Sequence, residues 1–537
     1  MEYAAGITYK RRFLFAFLIA LVAFGLYVNS LPNNFAFDEP ELIINNPAVH
    51  GLSVAHLKAV FTSVPNGLEY LPVRDLIYMI DYDLWGLAPF GYHLTNVLIY
   101  VASCLAFYWA VLLLLKRWRA GQEGLALIAA LLFATHPAHV ESVAGIAQTK
   151  DALSGLFFFL AMGFYLKSAM GKNGKAYYAL SLASCVLALL SKTTAIVFPA
   201  AITFIEIWGS SGGQKSWWRK PVFRLVPFFI VTLAIAALNF IVASKAGVVA
   251  PPSSIASRIP VFLAAIVEYL KILVVPYPLT LWHDDMLRPS SILSAPGGLR
   301  LALLLAIVAL ALAFRKKAPA PTFGAALTLA SLLPVSGLID QPAAVAERYL
   351  FIPSAGFCIA AAWAIGKIMD LAAEKKGVLR RAAPILPICL LLAYSYISFE
   401  RNFDWKAGST LAEAGLRVNP SSARLNYFLG NIYFQNGRYG RAMGRFAAAG
   451  RLDPSYNFAT PFFDALYLYN RGMCGDALRS VRALDMLGIS DVYCLQGKIY
   501  ACLGQKQQAM ASARQALAAR RTIGFFFRQD ALALLDK

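Results

Sequence analysis

The sequence predicts a mainly α-helical protein in two parts: a polytopic membrane domain of about eleven helices, then a solenoid of helical hairpins. Three observations carry this reading. The 537 residues are 59% hydrophobic and only 15% charged, with mean hydropathy +0.58, a composition that points to repeated membrane crossing. The basic residues fall in short clusters between apolar stretches. After Ser398 the chain turns polar and repetitive.

The apolar stretches run over residues 13–31, 92–115, 125–133, 153–166, 178–190, 195–207, 225–242, 299–314, 323–338, 350–365 and 385–397. Basic clusters occupy alternate connections: Lys10-Arg11-Arg12; Lys116, Arg117 and Arg119; Lys167 to Lys175; Lys215 to Arg224; Arg315-Lys316-Lys317; and Lys375 to Arg381. That alternation marks the cytoplasmic ends and leaves the C-terminal domain outside. It also explains the net charge of +20 without a nucleic-acid partner, since no basic face runs continuously. The first apolar stretch follows Lys10-Arg11-Arg12 and lacks a small-residue cleavage site, so a retained span is expected. Residues 259–275 are apolar too. Counting them as a crossing would put Arg315-Lys316-Lys317 outside, so a re-entrant segment, or one lying along the outer surface, is expected there.

The chain is thus divided into a membrane domain, residues 1–400, and a repeat domain, residues 401–537. In the latter, Leu429-Gly430, Tyr433, Ala442, Phe446, Ala449 and Pro454 match the tetratricopeptide pattern. Gly497, Tyr500, Ala509 and Ala516 repeat it one residue short of two 34-residue periods. Tyr467, Ala477 and Leu484 are the remnants of a degenerate repeat between them. The seven cysteines show no metal-type spacing; Cys494 and Cys502 are placed to meet across a helical hairpin turn.

The ionisable residues able to do chemistry gather in the outer loops 32–91, 134–152, 243–298 and 339–349. Foremost is Asp38-Glu39, set between Phe35-Ala36-Phe37 and Pro40. A carboxylate pair at a bilayer surface suits deprotonation of an acceptor or retention of a cation near a lipid-borne phosphate, against the plain alternative of a solvated loop. His136, His139 and Glu141 follow in the next outer loop. The spacing of the three invites a metal reading; with Asp38, His139 and Glu141 compose either a mixed oxygen/nitrogen site for a divalent metal or a carboxylate polarised by imidazole, and alternatively His136 caps a helix end beside Pro137. Lys150, Lys192 and Arg348 lie near outer span ends, where cations also snorkel. Facing the acids together, they suit a lipid-linked phosphate, with Arg348 the strongest candidate through bidentate grip. Asp284 and Asp285 are secondary candidates.

Several blocks resemble the transmembrane-and-tetratricopeptide-repeat O-mannosyltransferases. They are Tyr70-Leu71-Pro72, the run from Leu84-Trp85-Gly86 to Asn96-Val97, the run from Thr135-His136-Pro137 to Gly145, and Ala346-Glu347-Arg348-Tyr349 through Phe357. Their order, followed by repeats, covers nearly the whole chain. The resemblance implies a glycosyltransferase of the GT-C fold that moves a hexose, such as mannose, from a polyprenyl-phosphate donor to a Ser/Thr hydroxyl of protein, with the repeats engaging the acceptor. It maps Asp38 onto the catalytic acid of the first outer loop and Glu39 onto its partner. The implied location is a bacterial inner membrane with the repeats in the periplasm, or the endoplasmic reticulum in a eukaryote. The chain departs from the pattern at Leu71, at Thr149-Lys150-Asp151 and at Ser191-Lys192-Thr193, positions that bear on the donor phosphate and the sugar. The competing reading is a non-catalytic membrane scaffold whose repeats recruit other proteins; it would leave the acids replaceable.

Overall fold

The computed structural model describes residues 2–64, 69–118, 123–170, 173–209, 220–245, 254–283, 286–338, 343–374, 378–519 and 528–535. Among the described residues there are helices and connecting turns and no β-strand. The chain divides into two compact units, Met1–Leu411 and Ala412–Lys537.

The first unit begins with α1 (Glu2–Tyr27), α2 (Val54–Thr62), α3 (Pro72–Trp85), α4 (Pro89–Arg117), α5 (Glu123–Thr135) and the short α6 (Val140–Ala144). It continues with α7 (Thr149–Ser168), α8 (Gly174–Ser191), α9 (Phe198–Gly209), α10 (Lys220–Lys245) and α11 (Ile255–Val274). The last five are α12 (Ala295–Phe314), α13 (Pro319–Leu332), α14 (Phe351–Ala373), α15 (Val378–Ala382) and α16 (Ile385–Asp404).

Helices α4, α5, α7 and α14 pack at the centre. Close approach there relies on small residues, because apolar side chains gain little by leaving lipid for protein. A Cβ on Gly356 would lie 2.4 Å from the Gly324 carbonyl, so α13 and α14 touch backbone to backbone. At the periphery, α10 and α12 expose large apolar side chains such as Phe223 (78%) and Leu299 (72%). Surfaces of that kind belong against lipid.

Among the described residues seven helices are long and apolar enough to cross a membrane, or eight if the bent pair Glu123–Thr135 and Pro137–Ala144 forms one span. The shorter apolar helices Thr193–Trp208 and Pro319–Val335, together with α7, cover the other stretches expected to span. The 52° bend in the pair falls at Pro137, whose ring and missing N–H interrupt the helical ladder. Residues 259–275 lie largely in the single continuous helix α11, which lacks the break of the re-entrant alternative and is compatible with the other, a segment lying along the surface. A re-entrant loop needs a break; here the only internal proline, Pro260, falls near the N-terminus of the helix.

The second unit contains α17 (Gly408–Val418, which starts just before it), then the hairpins α18/α19 (Ala423–Gln435, Tyr439–Leu452), α20/α21 (Ala459–Asn470, Cys474–Arg482) and α22/α23 (Ser490–Cys502, Lys506–Ala518), and finally α24 (Arg528–Leu535). Gly437, Gly472 and Gly504 have φ of 70°, 76° and 72° and close the first helix of each hairpin. Each closure has the same bonds: Arg438 N to Tyr433 O (2.8 Å), Met473 N to Leu468 O (3.0 Å) and Gln505 N to Tyr500 O (2.9 Å). This is the Schellman arrangement, which needs a residue comfortable in the left-handed region. The middle repeat is therefore geometrically complete although its sequence signature is worn. Gly430 lets the Phe446 ring come within Cβ distance, and Phe446 stacks on Phe463 at 4.2 Å.

A disulfide joins Cys474 to Cys502, across α21 and α22. The Cys494–Cys502 pairing considered from sequence does not form: both residues lie on α22, and Cys494 is a buried free thiol.

Candidate active site

The segment after α1 is pinned to the end of α16: Asn34 N donates to Lys406 O (3.1 Å) and Asn33 Nδ2 to Asn402 O (3.3 Å). It then turns sharply at Phe37, whose φ of 56° is rare for a residue with a large side chain. Strain of this kind persists only where the surroundings enforce it. Here Phe37 packs edge-on against Trp282 at 5.7 Å, and the residue on its other side is held by a clamp.

That clamp is Glu39. Its Oε2 accepts from Ala36 N (2.6 Å) and its Oε1 from Ala147 N (3.3 Å), tying the segment after α1 to the turn before α7. Tyr78 fixes the same turn by donating to Ile146 O (2.9 Å). Glu39 is fully buried, and burial pushes its carboxyl up to about 8 against the opposing effect of those backbone donors. Asp38 is half-buried. Burial raises its carboxyl most, Arg348 and Lys150 lower it, Glu69 and Glu141 raise it again, and the balance is about 6. The sequence put both acids forward as catalytic. In the structure Glu39 is spent on backbone bonds, while Asp38 retains the tuned carboxylate.

Near Asp38 the chain assembles alternating charges from five segments. Arg348, in the turn before α14, is gripped by Glu141: Nη1 to Oε1 at 2.5 Å and backbone N to Oε2 at 2.9 Å. Lys192, at the end of α8, pairs with Asp151 at the start of α7. Lys150 meets Glu69 at 2.5 Å, and Glu69 also meets Arg74 at 2.8 Å. Arg74 is itself fully buried beside Asp75. The Tyr349 ring faces both Lys192 (5.1 Å) and Arg348 (5.0 Å). Asp151, Arg348, Tyr349, Ser154 and Ser331 line an enclosed cavity of about 10 Å³, enough for one water. The turn carrying Arg348 is braced from behind: Glu347 lies 3.4 Å from His283 and 3.5 Å from Arg401, which bonds Asp404 at 2.9 Å.

The sequence candidates therefore separate. Asp38, Glu141, Lys150, Lys192 and Arg348 come together, as the mutual electrostatic influences on Asp38 and Lys192 require. His139 does not join them. Its Nδ1 lies 3.0 Å from the Tyr100 hydroxyl and its Nε2 2.7 Å from that of Ser354, in a pocket walled by Phe133 and Phe351. His136 caps the turn at Pro137, accepting from Ala138 N (3.3 Å), with Nε2 3.1 Å from Leu273 O. Neither arrangement considered for Asp38, His139 and Glu141, a mixed metal site or a carboxylate polarised by imidazole, is assembled: His139 has both nitrogens engaged and Glu141 serves Arg348. Among the described residues no group of three His, Cys, Asp or Glu side chains is placed to hold a metal. Asp284 and Asp285 lie outside the described residues. The sequence reading missed Glu69, Arg74 and Tyr349. Arg74-Asp75 on a helix with buried Tyr78 was the available signal, since an isolated salt pair two residues past Pro72 has no topological use.

Fold and site together define a helical integral membrane protein with tetratricopeptide repeats and a buried charge array around one tuned aspartate. Residues 490–522 match the tetratricopeptide repeat family. Along most of its length the chain resembles the transmembrane-and-tetratricopeptide-repeat O-mannosyltransferases. A protein O-mannosyl-transferase of Caenorhabditis elegans is 26% identical over 467 residues, covering 82% of this chain and 63% of the relative. The protein O-mannosyl-transferase TMTC3 of Homo sapiens is 27% identical, covering 81% of this chain and 51% of the relative. The chain spans between half and two thirds of the length of these curated relatives. Among solved structures, ArnT from Cupriavidus metallidurans aligns over 76% of this chain and 79% of its own at 13% identity and TM-score 0.38. The oligosaccharyltransferase of Archaeoglobus fulgidus aligns over 75% of this chain and 55% of its own at 12% identity and TM-score 0.39.

Proposed function

We propose that this protein is a GT-C-type membrane glycosyltransferase that moves a hexose, mannose by the names of its relatives, from a polyprenyl-phosphate donor to a Ser/Thr hydroxyl of protein. The observation that carries the reading is Asp38, a half-buried carboxylate raised to about 6 and faced by Arg348 and Lys150. A base with that tuning is deprotonated at neutral pH yet still basic enough to take a hydroxyl proton. The acceptor oxygen forms its bond to the sugar C1 as the C1–O bond to phosphate breaks. The proton passes to Asp38, and the polyprenyl phosphate leaves with its charge met by the basic side of the array, Lys150, Lys192 and Arg348. Glu39 contributes by holding the loop, as a positioning residue.

The repeats are assigned to the outer, oxidising side, in a periplasm or an endoplasmic reticulum lumen, where they engage the acceptor. The Cys474–Cys502 disulfide supports this, since such bonds persist outside the reducing cytoplasm. The test is intact-mass analysis of outer-face proteins from cells with and without the gene, complemented by wild type or by Asp38→Asn. A hexose-sized mass that depends on wild type is the expected result. Masses identical in all three strains would leave the scaffold reading standing.

A further inference from the structure

The charge array that includes Asp38 holds four buried cations, and each already has a carboxylate: Arg74 with Asp75, Lys150 with Glu69, Lys192 with Asp151 and Arg348 with Glu141. A dianionic or monoanionic phosphate gains little from an array whose charge is cancelled. One of the four carboxylates must move away, or the phosphate must bind without a net countercharge. The exposures decide which one can move. The side chains of Asp75, Asp151 and Glu141 are 2%, 3% and 1% exposed, whereas that of Glu69 is 42% exposed. Releasing any of the first three would strand a charge in the interior, while the Glu69 side chain already reaches water.

Glu69 is also the carboxylate that bridges two cations, Lys150 at 2.5 Å and Arg74 at 2.8 Å, from the solvent side. The two nitrogens it touches are themselves buried, with Lys150 8% and Arg74 0% exposed. Arg74 is not fully satisfied by its acids, because its Nη2 lies 2.8 Å from Asp75 Oδ1 without a well-directed hydrogen bond. Two buried cations thus converge on a single oxygen, Oε2, of one partly exposed anion, as they would on one oxygen of a phosphoryl group.

Building on the donor reading above, we infer that Lys150 and Arg74 form the slot for the donor phosphate and that Glu69 occupies it until the phosphate displaces it. Lys192 and Arg348, whose carboxylates stay buried, shape the field around the slot but do not open. While it sits between the two cations Glu69 is anionic: partial desolvation raises its carboxyl, but Lys150 and Arg74 outweigh that and hold it at about 2.

The experiment is a titration of purified full-length protein in detergent with polyprenyl monophosphate, for wild type, Glu69→Gln, Lys150→Ala and the double variant. Glu69→Gln keeps the shape of an exposed side chain and removes the competing charge. Its Kd should fall by about three- to tenfold, the worth of a partly exposed ion pair. Lys150→Ala should bind more weakly, and adding Glu69→Gln to it should bring little further gain, because half the slot is gone. Unchanged or weaker binding by Glu69→Gln would make Glu69 a brace and end the proposal. So would an equal gain in both backgrounds, which is what loss of any nearby negative charge produces. Wild-type binding without the gain removes the slot alone; no binding by any of the four proteins removes the donor reading with it.

Discussion

The acid limb of the activity profile tests the assignment of Asp38 most directly. With its carboxyl at about 6, the base form is about one-eleventh of the total at pH 5 and nearly all of it at pH 7.5. The kcat/KM for transfer should therefore rise about tenfold between those values, then level off. A carboxyl near its ordinary value of 3.8 would be more than 90% ionised at pH 5 and would give a flat line. The direction of further shifts follows from the neighbours. Glu69→Gln removes a charge that raises Asp38, so the limb should move to lower pH. Arg348→Ala removes one that lowers it, so the limb should move up. Asp38→Asn should cost about 10²–10⁴-fold in rate and abolish the limb, while donor binding survives. The assay is transfer from polyprenyl-phosphate mannose to a Ser/Thr peptide at a series of pH values, with donor binding measured at each. A profile flat down to pH 5 in wild type, or near-normal turnover by Asp38→Asn, would refute the reasoning and move the base elsewhere.

Other outcomes bear on the scaffold of the site. Glu39→Gln can accept from only one of the two backbone N–H groups that the carboxylate now serves, so thermal stability should drop by the equivalent of about 1–3 kcal/mol with donor KM nearly unchanged. Gly356→Ala would place a methyl 2.4 Å from Gly324 O and 2.6 Å from Thr328 Oγ1. Parting α13 from α14 should cost about 1–3 kcal/mol, seen as loss of the monodisperse peak in size-exclusion chromatography. Cys474→Ser opens a bridge between residues 28 apart and should destabilise the repeat unit by about 2–4 kcal/mol in denaturant. Thiol counting on unreduced, denatured wild type should find the five free cysteines, Cys104, Cys185, Cys358, Cys389 and Cys494.

What the sequence alone determined is whatever depends on near neighbours along the chain. Apolar runs and basic clusters set out the helical membrane class because burial in lipid and charge placement are read residue by residue. The repeat pattern at Gly430, Tyr433, Ala442 and Phe446 located the hairpins, since helix pairing within a repeat is local. Asp38 was legible as an acid with no packing use. The tertiary structure decided everything that depends on which distant residues meet. Glu141 and Arg348 are 207 positions apart, and no spacing rule relates them. Their pairing shows that Arg348 is already engaged, much as Lys192 is by Asp151. The Glu39 clamp reaches 108 positions to Ala147, which sets it apart from Asp38, the acid proposed as the base. His139, although close to Glu141 in sequence, turns into the helix packing around Tyr100 and Ser354. Neighbouring side chains on a short bent helix leave on different faces, so adjacency in the chain could nominate these groups, and only the fold could sort them.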